Sequence, residues 1–488
     1  MTPRTAAKRN AKPLSAGLSY FTFRRMADGS VLLSNDAGFT AAVSGAEFER
    51  FSGGRLGAAE PLYKELAEKG FVREMTDFEG YAAACAKKNA FLGSGPGLHI
   101  LVMTLRCNHK CLYCQSGAVG ASGAKGTDMS RATARKSVDF ALKSTNPGIT
   151  IEFQGGEPLL NWDTLKDSVL YARRRGKELG REVRLALVSN FSLMTDEKAR
   201  FLVENEVSIC TSLDGPADLH NKNRIFAGGN SHAHTSKWLK YFIGRAAKQV
   251  PEYKTFNPSA LLTVSKYSLG REKQIVDEYV RQGLTDIFVR PLAPIGYAKN
   301  LWPQIGYSAA EFSRFYRNSL DYILKLNAAG KKVREHHAVI MLEKIVNGGD
   351  PGFLDMRCPC GAAMGQVAYN YNGDLYACDE GRMVGWEGDD LFKIGNVLRD
   401  SYRKVMLAPA ARACAAASNL ELQPQCSRCV YKPYCGVCPV YNYETQGSLW
   451  GDMPSSGRCA LSKGMFDALF GLLKKPASAK ILKGWVQK

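Results

Sequence analysis

Between residues 98 and 298, short apolar runs alternate with amphipathic stretches. Apolar residues in the stretches recur every three to four positions, as at Ala134, Val138 and Ala141, which indicates helices. The runs predict six strands: Leu98–Thr104, Ile149–Phe153, Val183–Val188, Val207–Ser212, Ser259–Val264 and Asp286–Arg290. Strands that alternate with helices form parallel sheets with right-handed crossovers, and six units are too few for a closed eight-stranded barrel. The pattern therefore predicts an α/β fold with an open, partial (β/α)6 barrel over residues 93–335.

A different pattern occupies residues 1–92. Phe21–Met26 and Val31–Ser34 are predicted strands joined by an Asp-Gly turn, and Gly45–Phe51 and Glu60–Lys69 are predicted helices. This order predicts a small α+β module that resembles the winged-helix modules of peptide-modifying enzymes, which bind an extended leader peptide by adding a strand. A plain structural cap is the alternative.

Three cysteines follow the first barrel strand in the spacing C-x3-C-x2-C: Cys107, Cys111 and Cys114, here called the first cysteine group. They come at the carboxyl end of a strand, where barrel enzymes build their active sites. Three thiolates are one short of the four that close an ordinary iron–sulfur or zinc site. A [4Fe–4S] cluster held in this way keeps one iron free for a small molecule. A zinc knuckle is the alternative.

Composition narrows the class of protein. The chain has 14 cysteines in 488 residues and a net charge of +19. We read no secretory signal and no apolar run of about 18 residues, so the cysteines indicate metal binding in a reducing cytoplasm, without a membrane. Both ends are basic, and we expect residues 466–488 to be a solvated basic tail. Nucleic-acid binding is the weaker interpretation of this charge, which also suits an acidic peptide.

The first cysteine group, with Tyr113 before its last member, resembles the signature of radical S-adenosylmethionine (radical SAM) enzymes. The strand ends carry further matches to that family: Gln154-Gly155-Gly156-Glu157-Pro158, then Ser189-Asn190, then Ser212-x-Asp214-Gly-Pro with Arg224. The resemblance implies that Glu157 holds the ammonium of S-adenosylmethionine. It also implies that Ser189 and Asn190 meet its ribose and carboxylate, and that Ser212 and Arg224 meet the carboxylate. The alternative for each is a turn, cap or surface pair.

A second cysteine group lies within residues 336–465: Cys358, Cys360, Cys378, Cys414, Cys426, Cys429, Cys435, Cys438 and Cys459. Its spacing resembles the SPASM domain, which binds auxiliary iron–sulfur clusters. The resemblance implies one cluster on Cys358, Cys360, Cys378 and Cys438, and another on Cys426, Cys429, Cys435 and Cys459. Cys414 is left over as a buried thiol. Two zinc sites are the alternative, because zinc knuckles have the same C-x2-C spacing.

Asp379 directly follows Cys378. This region resembles the anaerobic sulfatase-maturating enzymes, in which an aspartate at this place is the proposed general base. A carboxylate near a cluster and a substrate could take a proton while the substrate radical is oxidised. The alternative is a turn residue that hydrogen-bonds its own backbone.

Over residues 1–465 the chain resembles radical SAM/SPASM peptide maturases. Phe21–Met26, Leu32–Gly38 and Arg290–Ala298 resemble the subgroup of His-Xaa-Ser system maturases. The resemblance implies three [4Fe–4S] clusters, S-adenosylmethionine, a peptide or small protein substrate, a reductant such as flavodoxin or ferredoxin, and a candidate partner maturase. The alternatives are a formylglycine-forming sulfatase maturase and a catalytically silent, metal-bound scaffold that presents peptides.

Overall fold

The computed structural model describes residues 17–123, 125–246 and 258–487. The basic residues near both ends of the sequence, Arg4, Lys8, Arg9, Lys12 and Lys488, lie outside these ranges. Within the ranges, every helix is too short or too polar to cross a lipid bilayer.

The predicted N-terminal module is an antiparallel sheet with helices on it. Its strands are β1 (Thr22–Arg25), β2 (Val31–Ser34) and β3 (Thr40–Val43), in that spatial order, and its helices include α1 (Gly45–Ser52), α2 (Pro61–Glu68) and α3 (Phe78–Lys88). Val31, Leu33, Phe51 and Leu66 belong to a core that is separate from the main one. Ser44 begins α1 with a capping box in which Glu47 bonds back to the Ser44 amide.

The module packs against the second cysteine group. The Ser34 hydroxyl donates to the Val430 carbonyl at 2.6 Å, and the Tyr434 hydroxyl donates to the Gly38 carbonyl at 2.7 Å. These bonds attach β2 and the turn after it to the segment that contains Cys429 and Cys435.

The predicted partial barrel is confirmed as six parallel strands that neighbour each other in chain order. They are β4 (Leu98–Thr104), β8 (Gly148–Gly155), β9 (Glu182–Val188), β10 (Val207–Ser212), β12 (Ser259–Thr263) and β13 (Asp286–Arg290). The intervening short strands are β5 (Arg106–Cys107), β6 (His109–Cys111), β7 (Val119–Gly120) and β11 (Arg224–Phe226). Their helices include α4 (Arg131–Ala141), α5 (Trp162–Glu178), α6 (Asp196–Glu204), α7 (Ala217–Asn223), α8 (Ser231–Tyr241) and α9 (Glu272–Arg281).

The first strand shows why the sequence forms this sheet. From His99 to Thr104, every residue of β4 is buried, as expected for a strand of a parallel sheet that is covered on both faces. Both ring nitrogens of the buried His99 have hydrogen-bond partners. Nδ1 bonds to the Tyr369 hydroxyl, and Nε2 bonds to the Pro96 carbonyl. The burial of polar groups therefore costs little here.

The C-terminal region extends both edges of the six-stranded sheet. On one edge β14 (Arg334–Glu335) pairs with β13; on the other β15 (Gln366–Tyr369) pairs with β4 and continues into β16 (Asp374–Tyr376) and β17 (Lys393–Asn396). The remaining helices are α10 (Tyr297–Asn300), α11 (Trp302–Ile305), α12 (Ala309–Ala328), α13 (His336–Val346), α14 (Asp379–Trp386), α15 (Tyr402–Met406), α16 (Pro409–Ala417), α17 (Pro439–Gln446), α18 (Gly457–Leu473) and α19 (Pro476–Gly484). This pairing with β4 brings the second cysteine group to the mouth of the barrel.

The predicted solvated tail is wrong for the residues that the structure describes. Residues 466–473 continue α18, and α19 follows. Phe466, Leu469, Leu482 and Trp485 are buried in the main core. The lysines of this segment favour a solvated tail. The apolar residues between them, however, form a helical face that packs against the barrel.

Candidate functional site

A cavity of about 300 Å³ lies at the carboxyl ends of the barrel strands. Its wall is shared by two regions that are far apart in sequence. The barrel contributes the first cysteine group and strand-end residues, and the C-terminal region contributes Cys435, Cys438 and Arg458. The two predicted cysteine groups therefore border one chamber.

The first cysteine group lies on a loop that begins with β5 and β6. In β6, Cys111 is paired directly with Arg224 of β11 in an antiparallel register. Burial, more than any other effect, raises the pKa of the Cys107 and Cys111 thiols to about 12. Metal binding requires thiolates, so loading this site releases protons.

The carboxylate of Glu157 is enclosed within the protein. Its Oε1 accepts hydrogen bonds from the Leu159 amide at 3.0 Å and the Ser189 hydroxyl at 2.8 Å, and its Oε2 accepts one from the Asn190 amide at 2.8 Å. Glu157 is fully buried and does not line the cavity, whereas Ser189 and Asn190 do. Its contact with an ammonium stays a prediction, and the geometry gives the carboxylate a second role: it joins the ends of β8 and β9.

The two glycines before Glu157 are required by close packing. A Cβ on Gly155, which has φ +145°, would lie 2.2 Å from the Thr104 carbonyl oxygen, and one on Gly156 would lie 2.3 Å from that of Arg106. Both glycines and Gln154 line the cavity. The glycines thus bring the end of β8 against the chain that leads into the first cysteine group.

Tyr113, Asp214 and Arg224 form a buried network. The Tyr113 hydroxyl donates to Asp214 Oδ2 at 2.7 Å and accepts from Arg224 Nη1 at 2.9 Å. Burial raises the pKa of Asp214 to about 6, although Arg224 opposes this shift. Tyr113, Arg224 and Ser212 line the cavity, while Asp214 lies behind Tyr113. Arg224 Nε is buried without a hydrogen-bond partner among the described residues, as expected for a donor that a bound anion would satisfy.

The sequence does not mark five further ionisable residues that line the cavity: Arg290, His337, Asp355, Glu380 and Arg458. Arg458 pairs with Asp355 at 3.3 Å. Burial favours a raised pKa for Asp355, but Arg458 and Arg290 outweigh it and the pKa lies below its usual value. Position at a strand end could have identified Arg290, which ends β13. No motif marks the others, because tertiary packing alone brings them here.

Asp379 does not line the cavity, whereas the next residue, Glu380, does. Asp379 Oδ1 accepts a hydrogen bond from Arg382 Nε at 2.8 Å, and Arg382 Nη1 donates to the Ser116 carbonyl at 3.2 Å. Arg382 is 2% exposed. The pair therefore connects the start of α14 to the loop that follows Cys114. The role of Asp379 as a general base stays a prediction.

The second cysteine group separates into two sets. Cys426, Cys429, Cys435 and Cys459 line one small cavity, which Cys438 also lines. After burial, Cys438 raises the pKa of Cys360, and both Cys438 and Cys360 raise the pKa of Cys378, so these three thiols lie near each other. In the described ranges no three His, Cys, Asp or Glu side chains stand close enough to hold one metal ion. The assignment of these thiols to iron–sulfur clusters stays a prediction, with two zinc sites as the alternative.

Comparison with known proteins gives one family match. The model of the radical SAM superfamily matches residues 101–245. The cysteine-type anaerobic sulfatase-maturating enzyme of Clostridium perfringens is 24% identical over 341 residues, which are 68% of this chain and 85% of that enzyme. The radical SAM cyclopropyl synthase TigE of Paramaledivibacter caminithermalis is 26% identical over 195 residues, which are 37% of this chain and 40% of that protein.

Two solved structures share the fold. The structure of native anSMEcpe with bound AdoMet has a TM-score of 0.64 at 19% identity, and the match covers 79% of this chain and 99% of that one. The structure of Streptococcus suis SuiB bound to its precursor peptide SuiA has a TM-score of 0.52 at 14% identity, and covers 89% and 98% respectively. At these identities the likeness concerns the fold.

Proposed function

The chain is an enzyme of the radical SAM superfamily, and on that premise we propose that it modifies a peptide or small protein with a His-Xaa-Ser repeat after translation. The relatives support a maturase-type enzyme that is related to sulfatase maturases and peptide modifiers, and the repeat-bearing substrate is the proposed part. One observation supports the chemistry of the proposal: residues of both cysteine groups line a single chamber. The His-Xaa-Ser substrate rests on the resemblance of Phe21–Met26, Leu32–Gly38 and Arg290–Ala298 to that subgroup. A substrate side chain in that chamber would lie between the site of radical formation and an electron acceptor.

Membership of this superfamily implies a [4Fe–4S] cluster and S-adenosylmethionine, and the residues present fit them. The three thiols of the first cysteine group line the cavity. Arg224 lines it as well, and its Nε, which has no hydrogen-bond partner among the described residues, suits a carboxylate. We assign the cluster to the first cysteine group, and the carboxylate to Arg224 and Ser212. When bound, these cofactors supply a 5′-deoxyadenosyl radical that abstracts a hydrogen atom from the substrate.

The neighbouring side chains orient this machinery. Asp214 holds the Tyr113 hydroxyl, which in turn holds Arg224. Glu157 fixes the Ser189 hydroxyl and the Asn190 amide at the edge of the cavity, where by this proposal they meet the ribose. Gln154, Gly155 and Gly156 form the adjoining wall. Direct contact between Glu157 and the ammonium remains part of the proposal.

The further ionisable residues of the cavity would receive the substrate. They include Arg290, Asp355, Glu380 and Arg458, and apolar side chains such as Met341 and Phe353 also line the cavity. We infer that these charges orient a polar residue of the peptide and that the apolar side chains exclude water. For the proton released during substrate oxidation, Asp379 is the acceptor predicted from sequence, and Glu380 is the carboxylate that lines the chamber.

The second cysteine group would hold two auxiliary [4Fe–4S] clusters that take the substrate electron. None of the fourteen cysteines forms a disulfide, so all of them are free to bind metal. A flavodoxin or ferredoxin is the proposed electron donor, and a partner maturase remains a candidate. Within the described residues, β3 is an edge strand of the N-terminal sheet. An extended leader peptide could therefore bind to it by strand addition.

A formylglycine-forming sulfatase maturase is the second candidate, since the relative from Clostridium perfringens aligns with 68% of this chain. Synthetic peptides distinguish the two. The anaerobically reconstituted enzyme, S-adenosylmethionine and dithionite are incubated with a His-Xaa-Ser repeat peptide or with a cysteine-containing sulfatase peptide. The proposal expects a mass change in the repeat peptide only. Modification of the sulfatase peptide alone would establish the second candidate.

A further inference from the structure

The spacing of the second cysteine group implies Cys358 as a partner of Cys360, Cys378 and Cys438, and leaves Cys414 unused. The structure distributes these thiols differently. We propose that Cys414, and not Cys358, is the fourth thiolate of the auxiliary cluster held by Cys360, Cys378 and Cys438. This inference rests on the proposed function, because it assumes that the second cysteine group binds iron–sulfur clusters.

The first observation is the place of Cys414 in the fold. It lies on α16 and is 1% exposed. The Ser418 hydroxyl, one turn later, donates to the Cys414 carbonyl at 2.7 Å and accepts from the Cys360 amide at 2.9 Å. A single buried hydroxyl therefore joins the backbones of Cys414 and Cys360.

The second observation is which thiols lie near each other. The Cys360 thiol is within electrostatic range of the thiols of Cys438 and Cys414. The Cys414 thiol is likewise within range of Cys438. Charge interactions of this kind require proximity, so Cys414 lies near Cys360 and Cys438.

Cys358 points elsewhere. Its sulfur accepts a hydrogen bond from the Leu420 amide at 3.3 Å. The side chain packs beside Leu420, Val437 and Met453, next to the other auxiliary set. The charged residues nearest to this thiol are Glu421, Lys344 and Lys88.

Two of the proposed ligands also begin helices. The sulfur of Cys378 accepts from the Gly381 amide at 3.3 Å at the start of α14, and that of Cys438 accepts from the Tyr441 amide at 3.4 Å at the start of α17. A helix N-terminus stabilises a thiolate. Cys378 and Cys438 therefore form a prepared half-site, to which Cys360 and Cys414, tied through Ser418, add the other half.

The test compares Cys414→Ala with the matched control Cys358→Ala in full-length, anaerobically reconstituted protein. Iron and sulfide are measured, and the reduced clusters are recorded by electron paramagnetic resonance. We expect about twelve irons in the wild type, for three four-iron clusters, and an unchanged content and spectrum in Cys358→Ala. Cys414→Ala should lose about four irons or show an altered auxiliary signal.

Alkylation of the wild-type holoenzyme gives a second readout that requires no folded variant. A partly exposed thiol that is not a ligand, as proposed for Cys358, reacts with iodoacetamide while the clusters are intact, whereas burial shields Cys414 in either case. Peptide mass spectrometry locates the labelled thiol. We expect Cys358 to be labelled in the holoenzyme, and Cys414 only after iron is removed. Protection of Cys358 until iron removal, or iron loss in Cys358→Ala without loss in Cys414→Ala, would overturn the assignment. Only about four irons in the wild type would instead refute the auxiliary clusters themselves.

Discussion

Replacement of Glu157 by glutamine separates two roles for this carboxylate. The new amide nitrogen must take the place of one oxygen, and a backbone amide points at each of them, from Leu159 at Oε1 and from Asn190 at Oε2. In either orientation one N–H donor faces another and loses its acceptor. A hydrogen bond to a charged group contributes about 1.5–3 kcal/mol, so the free energy of unfolding should fall by about that amount.

The same change should weaken binding, because Ser189 and Asn190 line the cavity and are held by Glu157. A loss of about 1.5–3 kcal/mol corresponds to a roughly ten- to hundredfold lower affinity for S-adenosylmethionine. Urea unfolding of the metal-free protein and anaerobic calorimetry of the reconstituted protein measure the two effects. Glu182→Gln is the control, since Glu182 is exposed beside Arg184 and its loss should change stability by less than about 0.5 kcal/mol.

The two measurements give opposite answers for the two roles. If Glu157 acts by holding Ser189 and Asn190, stability and affinity fall together. Wild-type stability with reduced affinity would show that the carboxylate meets the ligand directly, and would refute the positioning argument. Wild-type values for both would leave the Gly-Gly-Glu-Pro segment as a turn.

The loop after Cys114 gives a second prediction: Gly117→Ala places a Cβ 2.1 Å from Trp386 Cδ1 at φ +65°, and should cost about 1–2 kcal/mol in urea unfolding. Gly120→Ala, with nothing within 4 Å of its Cβ, is the control, and equal losses would contradict the packing. Asp379→Ala should still yield 5′-deoxyadenosine, while the amount of modified peptide falls about a hundredfold. If Arg382→Lys has the same effect, Asp379 acts by holding Arg382. If only Asp379→Ala has it, Asp379 is the base. In metal-free protein, the raised pKa values of Cys107 and Cys111 stabilise the fold below the unfolded thiol pKa of about 8.5. The free energy of unfolding should therefore fall as the pH rises towards about 12. Denaturation at several pH values measures it, and an increase over this range would contradict the burial of the two thiols.

The sequence was sufficient for the barrel and its strand ends. The six strands alternate with amphipathic helices. Ser189 directly follows β9, Ser212 ends β10, and the first cysteine group begins three residues after β4. In a parallel sheet these carboxyl ends meet at one edge, so local pattern alone predicts that the residues come together. The module at residues 17–92 has the predicted hairpin for the same reason, because an Asp-Gly turn fixes the register of β1 and β2.

Contacts between distant segments could not be predicted in this way. Ser34 bonds to Val430, and Arg458 pairs with Asp355 in the wall of the chamber. The enclosure of Glu157 by β9 and the link between Cys360 and Cys414 through Ser418 also depend on tertiary packing. Spacing indicates which cysteines belong to one motif, but the fourth ligand of a cluster is decided by which thiol the fold brings within reach.

Transfer of deuterium from a peptide to 5′-deoxyadenosine tests the central claim most directly. The reconstituted enzyme is incubated anaerobically with S-adenosylmethionine, dithionite and a His-Xaa-Ser repeat peptide that is deuterated at the carbon positions of the histidine and serine residues. The account predicts deuterium in 5′-deoxyadenosine together with a changed mass of the peptide. Formation of 5′-deoxyadenosine without deuterium and without peptide product would contradict the proposed substrate, and absence of 5′-deoxyadenosine would contradict the radical chemistry itself.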